Sequence, residues 1–312
     1  MQMKTDVSQF LTTDEQSDHL EKLYGKETLT QYTTLPIIAA CFEDIRSSKQ
    51  HSDMKKALER IQNGESDKEI NKIIDSLKDV AMGPDGVPPR LWRMSEGEAR
   101  EALVEMVKAA FSKDENTAKD CNDSSLNNVL VKWLHKKGPQ NDPANYRTLG
   151  MNATARKVIV KVFLMLIQDC YLLFMPPLQG AFQPGIGSPT FARMTAAVIH
   201  AAKSAGLTLT ICYIDAVKAY DRVPHSLLMD IFGDDGFALP KPMQRILKAL
   251  YSKVNFVSTG ATEDDVSFTE VFRGCIQGCC GSPLLFNCLM EYGRRCYEQQ
   301  KDPSKNTQDK GF

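Results

Sequence analysis

The chain has 312 residues and a formal net charge of −1, with 42% hydrophobic and 25% charged residues. Nothing in that profile is extreme. It fits a globular protein of two or more domain-sized units and does not mark the whole chain out for a polyanion partner. No apolar run approaches the ~20 residues that span a bilayer, so no membrane association is expected. The N-terminus, MQMKTDVSQF, lacks a basic start followed by an apolar block, which argues against a secretory signal; an intracellular protein, nuclear or cytoplasmic, is expected.

From Met1 to Glu65 the sequence is polar, with short apolar groups such as Leu35 to Phe42, and reads as loosely packed helices or an extension. Glu69 to Val80 carries Ile70, Ile73, Ile74 and Leu77 at the i, i+3, i+4, i+7 spacing of an amphipathic helix. Gly83 to Pro89 stops it, because proline and glycine together demand a turn. A second helix fits Glu98 to Phe111. Asn127 to His135 alternates as a strand does, and Asn152 to Phe174 is helical in pattern. Between Val129 and Phe163 stand Lys132, Lys136, Lys137, Arg147, Arg156, Lys157 and Lys161 against the single acid Asp142. Such a stripe can bind phosphates, although on its own it reads as solvated surface.

Gln179 to Gly187 is a loop by composition, and Thr190 to Ser204 returns to helix. Leu207 to Ile214 (LTLTICYI) is β-branched and largely apolar, the pattern of a buried strand, and it ends in Asp215. Ser226 to Ile231 and Pro242 to Tyr251 read as helices. Asn255 to Thr259 and Ser267 to Phe272 read as a strand pair, Gly274 to Pro283 as a glycine-rich turn and Leu284 to Tyr297 as a helix. Glu298 to Phe312 is a polar tail. The nine cysteines form no pair of Cys-x-x-Cys units and have no histidine nearby in sequence, so reduced core thiols are expected rather than a zinc site. A carboxylate at a strand end, like Asp215, is held rigidly enough to bind a divalent metal. Its plain alternative is a turn-forming or capping aspartate.

Five blocks then point to one family. Tyr213-Ile-Asp-Ala-Val-Lys-Ala-Tyr-Asp-Arg-Val-Pro-His225 resembles the first palm motif of the reverse transcriptases of non-LTR retrotransposons. Ala81-Met-Gly-Pro-Asp-Gly-Val-Pro88 resembles the family's opening block. Lys136-Lys-Gly-Pro-Gln-Asn-Asp-Pro-Ala-Asn-Tyr-Arg147 resembles its fingers block, and Gln179-Gly-Ala-Phe-Gln-Pro-Gly185 the block that follows. Gly274-Cys-Ile-Gln-Gly-Cys-Cys-Gly-Ser-Pro-Leu-Leu-Phe-Asn287 resembles the second palm motif. The blocks stand in family order from Ala81 to Asn287.

The resemblance implies an α+β right-hand polymerase that joins deoxynucleoside triphosphates to a DNA primer on an RNA template by two-metal chemistry with Mg2+. Asp215 matches the first catalytic, metal-binding aspartate, with the backbone at Ala216 beside it. Tyr220 matches the aromatic under the incoming sugar, which would clash with a 2′-hydroxyl and so disfavours an RNA-synthesising reading. Arg147 and Lys137 match fingers cations that grip the triphosphate, a task suited to the planar fork of arginine. Gln277 and Gly278 match the loop beside nucleotide and template.

There are departures. Gln183, Ile186 and Ile276 stand where arginines are usual, Thr148 replaces a proline, and Cys280-Gly281 replaces Pro-Leu. The third palm motif, an Asp-Asp pair, and the thumb have no counterpart in the sequence. Phe232-Gly-Asp-Asp235 lies between the first two palm motifs and has the composition of a helix-ending turn. The expected organisation is a helical extension (1–65), fingers (66–178), an incomplete palm (179–297) and a polar tail (298–312). The functional expectation is a reverse transcriptase domain that is inactive alone, because one carboxylate cannot hold two Mg2+ ions. The alternative is a non-catalytic nucleic-acid-binding remnant of such a polymerase.

Overall fold

The computed structural model describes residues 11–25, 38–121, 124–183, 185–251, 254–259 and 265–301. The start of the chain, the beginning of the apolar group at Leu35 and the tail after Lys301 lie outside the described residues. The fold is α+β, with many helices around one small mixed sheet.

Helix α1 (Thr13–Tyr24) opens with a capping box: the Thr12 hydroxyl accepts from the Glu15 amide while the Glu15 carboxylate accepts from the Thr12 amide. Short helices α2 (Ile38–Cys41) and α3 (Glu43–Arg46) lead into α4 (Lys49–Gln62), α5 (Asp67–Asp75), α6 (Pro89–Met94), α7 (Gly97–Ala110) and α8 (Glu115–Cys121). Strands β1 (Asn128–His135) and β2 (Tyr146–Asn152) precede the long helix α9 (Thr154–Phe174). Then come α10 (Ser188–Ser204), α11 (His225–Phe232), α12 (Lys241–Tyr251), β3 (Val254–Thr259), β4 (Val266–Val271) and α13 (Ser282–Lys301). Among the described residues no helix is long and apolar enough to cross a membrane.

Helix α9 is apolar almost all round, so it is buried as a core helix rather than laid on the surface. Its first turn is fixed by the opening block: the Asp85 carboxylate accepts from the Thr154 amide, and the Thr154 hydroxyl donates to the Val87 carbonyl. Helices α4, α5, α7 and α13 pack against it. The segment before Glu65, expected to be loosely packed, in fact supplies core. Phe42 stacks on Phe174 at 4.7 Å and meets Phe237 at 5.0 Å, and Ile45, Met54, Leu58 and Ile61 are buried in the same cluster. The polar average of this segment hid an apolar stripe that needs α9 to cover it.

The sheet runs β2-β1-β3-β4, with β1 antiparallel to β2, parallel to β3, and β3 antiparallel to β4. One face buries Val129, Val131, Trp133, Tyr146 and Phe256 against Leu20 and Tyr24 of α1.

Two readings are corrected. Leu207 to Ile214 forms no strand and lies exposed, with Leu207 at 68% and Ile214 at 91% of full exposure. A β-branched run is buried only when neighbouring strands take its backbone groups, and none of the described strands lies beside this one. Strand β2, not anticipated, forms from Tyr146 onward, because pairing with β1 outweighs its Arg, Gly and Asn content. The basic stripe is also not one surface. Arg156 is buried, Lys157 bonds the Ala81 carbonyl and Lys161 the Ser76 hydroxyl, leaving Lys132, Lys136, Lys137 and Arg147 exposed on the β1–β2 hairpin.

Candidate active site

The two palm blocks are tied together through their backbones. Cys275 donates to the Tyr220 carbonyl at 2.8 Å, Gly274 donates to the Val223 carbonyl at 2.7 Å, and His225 Nε2 bonds the Gly274 carbonyl at 2.9 Å. Burial holds His225 below its ordinary pKa, against the pull of its bonds to Gly274 and Tyr251. The second palm loop also runs along the free edge of β2, where the Gly150 amide donates to the Gln277 carbonyl at 2.7 Å. This approach requires glycine on both sides. A Cβ at Gly278, whose φ is +101°, would stand 2.7 Å from the Gly150 carbonyl oxygen, and one at Gly150 would stand 2.5 Å from Ile276.

A buried carboxylate fastens the assembly from beneath. Asp221 Oδ1 accepts from the Gln277 side-chain amide at 2.9 Å and from the Tyr24 hydroxyl at 2.7 Å. The Tyr24 oxygen also lies 3.2 Å from the Thr148 hydroxyl. Burial, followed by the Asp221 charge, pushes the Tyr24 phenol well above its ordinary pKa. The C-terminal end of α1 is held by Arg273, which donates to the carbonyls of Leu23 and Lys22.

These contacts enclose a cavity of about 880 Å³. Its walls include Arg147, Asp215, Ala216, Tyr220, Gln277 and Gly278, six of the seven residues singled out in the sequence. Lys137 is not among them. It sits exposed one position past Lys136, which does line the cavity, because the turn after β1 points the two lysines differently. The sequence did not single out the remaining wall residues, such as His19, Leu23, Phe182, Lys218 and Asp221. His19 and Leu23 carry no local signal of a site, whereas the non-glycine Phe182 is unusual only in its backbone, at φ 57°.

The cavity wall carries three cationic side chains, Lys136, Arg147 and Lys218, against two carboxylates, Asp215 and Asp221. Burial first, with Lys136 and Arg222 adding, lowers the Lys218 ammonium pKa, while Asp221 pulls it back. Tyr220 stacks on Phe286 at 4.5 Å, and burial pushes its phenol up to about 12. The loop beneath is anchored by Asn287, whose amide donates to the Ala181 carbonyl and the Tyr171 hydroxyl, each at 2.9 Å. Phe232-Gly-Asp-Asp235 is a helix-ending turn, in which Asp234 pairs with Lys241 at 2.6 Å outside the cavity.

Residues 134–307 match the family model for reverse transcriptase (RNA-dependent DNA polymerase). The chain belongs to the reverse transcriptase family. It is also 26% identical over 224 residues to the Retrovirus-related Pol polyprotein from type-1 retrotransposable element R2 of Nasonia vitripennis. That match covers 70% of this chain and 20% of the relative, so the chain spans about one fifth of the relative's length. The type is therefore that of a non-LTR retrotransposon reverse transcriptase. Lys136, Arg147, Asp215, Tyr220 and Gln277 fall within the matched segment of this reverse transcriptase, whereas His19, Leu23 and Tyr24 precede it.

Proposed function

We propose that the cavity binds a deoxynucleoside triphosphate for RNA-templated extension of a DNA primer. The observation that carries this reading is the convergence of Arg147, Asp215, Ala216, Tyr220, Gln277 and Gly278, from three separate segments, on one cavity that also holds Lys136 and Lys218. In this proposal Arg147 takes triphosphate oxygens in a bidentate grip, with Lys136 rather than Lys137 as the second cation. Lys218 adds local positive potential. Tyr220, wedged against Phe286, closes the cavity where a 2′-hydroxyl would sit. Gln277 and Gly278 pack beside base and template, with Gln277 oriented by Asp221.

The donor set suits one divalent ion carried in on phosphate. Asp215 offers a carboxylate and Ala216 a carbonyl, and Mg2+ commonly completes its shell with water and substrate phosphates. When bound, such an ion would neutralise triphosphate charge. The set does not suit two ions. Asp221, the other carboxylate in the wall, is engaged by Tyr24 and Gln277, and among the described residues no group of three metal-ligating side chains exists.

That shortage supports a narrower reading, in which this chain alone binds template-primer and nucleotide without turning them over. Two measurements test both parts: equilibrium binding of a deoxynucleoside triphosphate with Mg2+, and primer extension on an RNA template by the purified 312-residue chain. Binding with no extension is expected. Extension would overturn the narrower reading, and absence of binding would overturn the broader one.

A further inference from the structure

The short helix α2 packs against α13, and each brings a buried cysteine to the seam. The Sγ atoms of Cys41 and Cys296 lie 3.9 Å apart, in contact, although 255 positions separate the two residues. Both are free thiols. The seam around them is held firmly. Arg295, next to Cys296, donates to the Cys41 carbonyl at 2.7 Å and pairs with the Asp44 carboxylate at 2.9 Å. It also bonds the buried Glu291 of its own helix at 2.9 Å and lies over the Phe174 ring. Phe42, next to Cys41, stacks with Tyr292 at 6.0 Å, one turn before Cys296. One arginine and one aromatic pair therefore keep the two thiols in register while the fold persists.

Such a pair is close to bonding. A disulfide holds its sulfurs at about 2.05 Å, so closing the 3.9 Å gap asks about 1 Å of each, a movement that rotation about the Cα–Cβ bonds can supply. Cys41 also lines a cleft of about 610 Å³ with Asp44, Arg294 and Arg295, which gives a small polar oxidant a way in. At 2% and 8% exposure the thiols are screened from bulky reagents.

We propose that Cys41 and Cys296 form an oxidisable dithiol, a modification site for hydrogen peroxide that closes to a disulfide and staples α2 to α13. Cys41 precedes the segment matched to the reverse transcriptase family and Cys296 lies within it, so the bridge joins two parts of the chain that the match separates. One sulfur, as thiolate, attacks a peroxide oxygen. An S–O bond forms, the O–O bond breaks, and hydroxide leaves with the electron pair and takes up the first thiol's proton. The second sulfur, as thiolate, attacks the sulfenic acid so formed. The S–S bond forms, the S–O bond breaks, and the departing hydroxide takes up the second proton. The two thiols lose two electrons, and one peroxide becomes two waters. Cys296 stands about 20 Å along α13 from Ser282, which lines the large cavity, so the proposal stands whether or not that cavity takes a nucleotide.

The test is dilute hydrogen peroxide on the intact, fully reduced chain, then alkylation of the remaining thiols under denaturing conditions and non-reducing peptide mapping by mass spectrometry. A linked peptide joining Cys41 to Cys296 is expected as the main intramolecular disulfide, and dithiothreitol should remove it. If both thiols stay free while the exposed Cys212 is oxidised, or if either one prefers another cysteine, the proposal is overturned. The bridge should also raise the melting temperature by several degrees, because it closes a loop spanning 255 positions in the unfolded chain. The shift is read before and after dithiothreitol, which leaves oxidised methionine unchanged. Identical melts would overturn the staple. Cys296→Ala must lose both the linked peptide and the shift, and Cys212→Ser must keep both; the reverse pattern counts against the pair. Should Cys296→Ala fail to fold, the peptide map and melts of the parent chain decide alone.

Discussion

The Tyr24 hydroxyl donates a 2.7 Å hydrogen bond to the buried carboxylate of Asp221, which joins α1 to the first palm motif. Because Gln277 bonds the same carboxylate oxygen at 2.9 Å, three distant parts of the chain meet at one atom. Tyr24→Phe keeps the ring packed against Phe256 and removes only the hydroxyl. A hydrogen bond to a charged acceptor contributes about 1.5–3 kcal/mol, and a loss in that range is expected in urea unfolding. An unchanged midpoint would show that the bond adds nothing to the fold.

The phenols around the site set the alkaline limit of stability. Burial raises the pKa values of Tyr24 and Tyr251 above the ordinary range, and that of Tyr220 to about 12. In the unfolded chain these groups ionise near pH ~10, while the folded chain holds them neutral. Their contribution is therefore complete below pH ~10 and declines as pH rises from there towards and beyond 12. Unfolding midpoints measured between pH 8 and 12 should fall over the upper half of that range, and less steeply for Tyr24→Phe. Parallel curves for the two proteins would remove Tyr24 from the account.

On the acid side the controlling group is His225, where the first and second palm blocks touch. Its folded pKa is depressed, chiefly by burial, so its contribution is present above the unfolded value near ~6.5 and is lost as pH falls below it. His19 is shifted the same way, by burial first and then by Lys218. A decline in thermal stability between pH 7 and 5 is expected, together with an imidazole resonance of His225 that titrates below the ordinary range. A His225 titration at or above 6.5 would contradict this.

Much of this was legible before the structure, and the gaps have physical causes. The helices at Gly97–Ala110 and Lys241–Tyr251 and the β3–β4 pair follow local periodicity closely. Asp215, Tyr220 and Gln277 line one cavity although two of them stand far from the third in sequence, and it was their positions in the motif blocks, not any local periodicity, that singled them out. Tyr24 escaped notice, and Asp221 stood in the first palm block without a role of its own, because a hydrogen bond between residues 197 apart leaves no local pattern. Leu207 to Ile214 misled in the opposite sense: side-chain composition reports a preference for burial, whereas strand formation needs a partner. Lys136 and Lys137 are neighbours in sequence, and only the path of the turn decides which faces the cavity.

If Arg147 grips the triphosphate, its removal should act on binding rather than folding, since it is exposed on β2 and its loss leaves no cavity in the core. Arg147→Ala is expected to weaken deoxynucleoside triphosphate binding by roughly ten- to a hundredfold, the cost of about 1.5–3 kcal/mol for charge-assisted bonds, with the melting temperature unchanged. Lys137→Ala should leave affinity near that of the parent. Equal losses from the two variants would mean that the cavity geometry is not what selects the phosphate-binding cation.

The last expectation concerns the seam between β2 and the second palm loop. Gly278→Ala places a methyl 2.7 Å from a backbone carbonyl that cannot rotate away, at a φ of +101°. Strained φ for a non-glycine residue costs of order 1–3 kcal/mol, and the steric contact adds to it. Gly86→Ala is the matched comparison, because its φ is +65° but nothing lies within 4 Å of the added methyl. The difference between the two variants therefore reports the contact together with the extra strain of a φ outside the left-handed well that Gly86 occupies. Gly278→Ala should melt lower than Gly86→Ala by several degrees, about 2–4 °C per kcal/mol, and should weaken nucleotide binding as Gln277 shifts. Equal melting temperatures would mean that the loop relaxes away from β2 at little cost, and that the close approach of Gly278 to Gly150 does not set the position of Gln277.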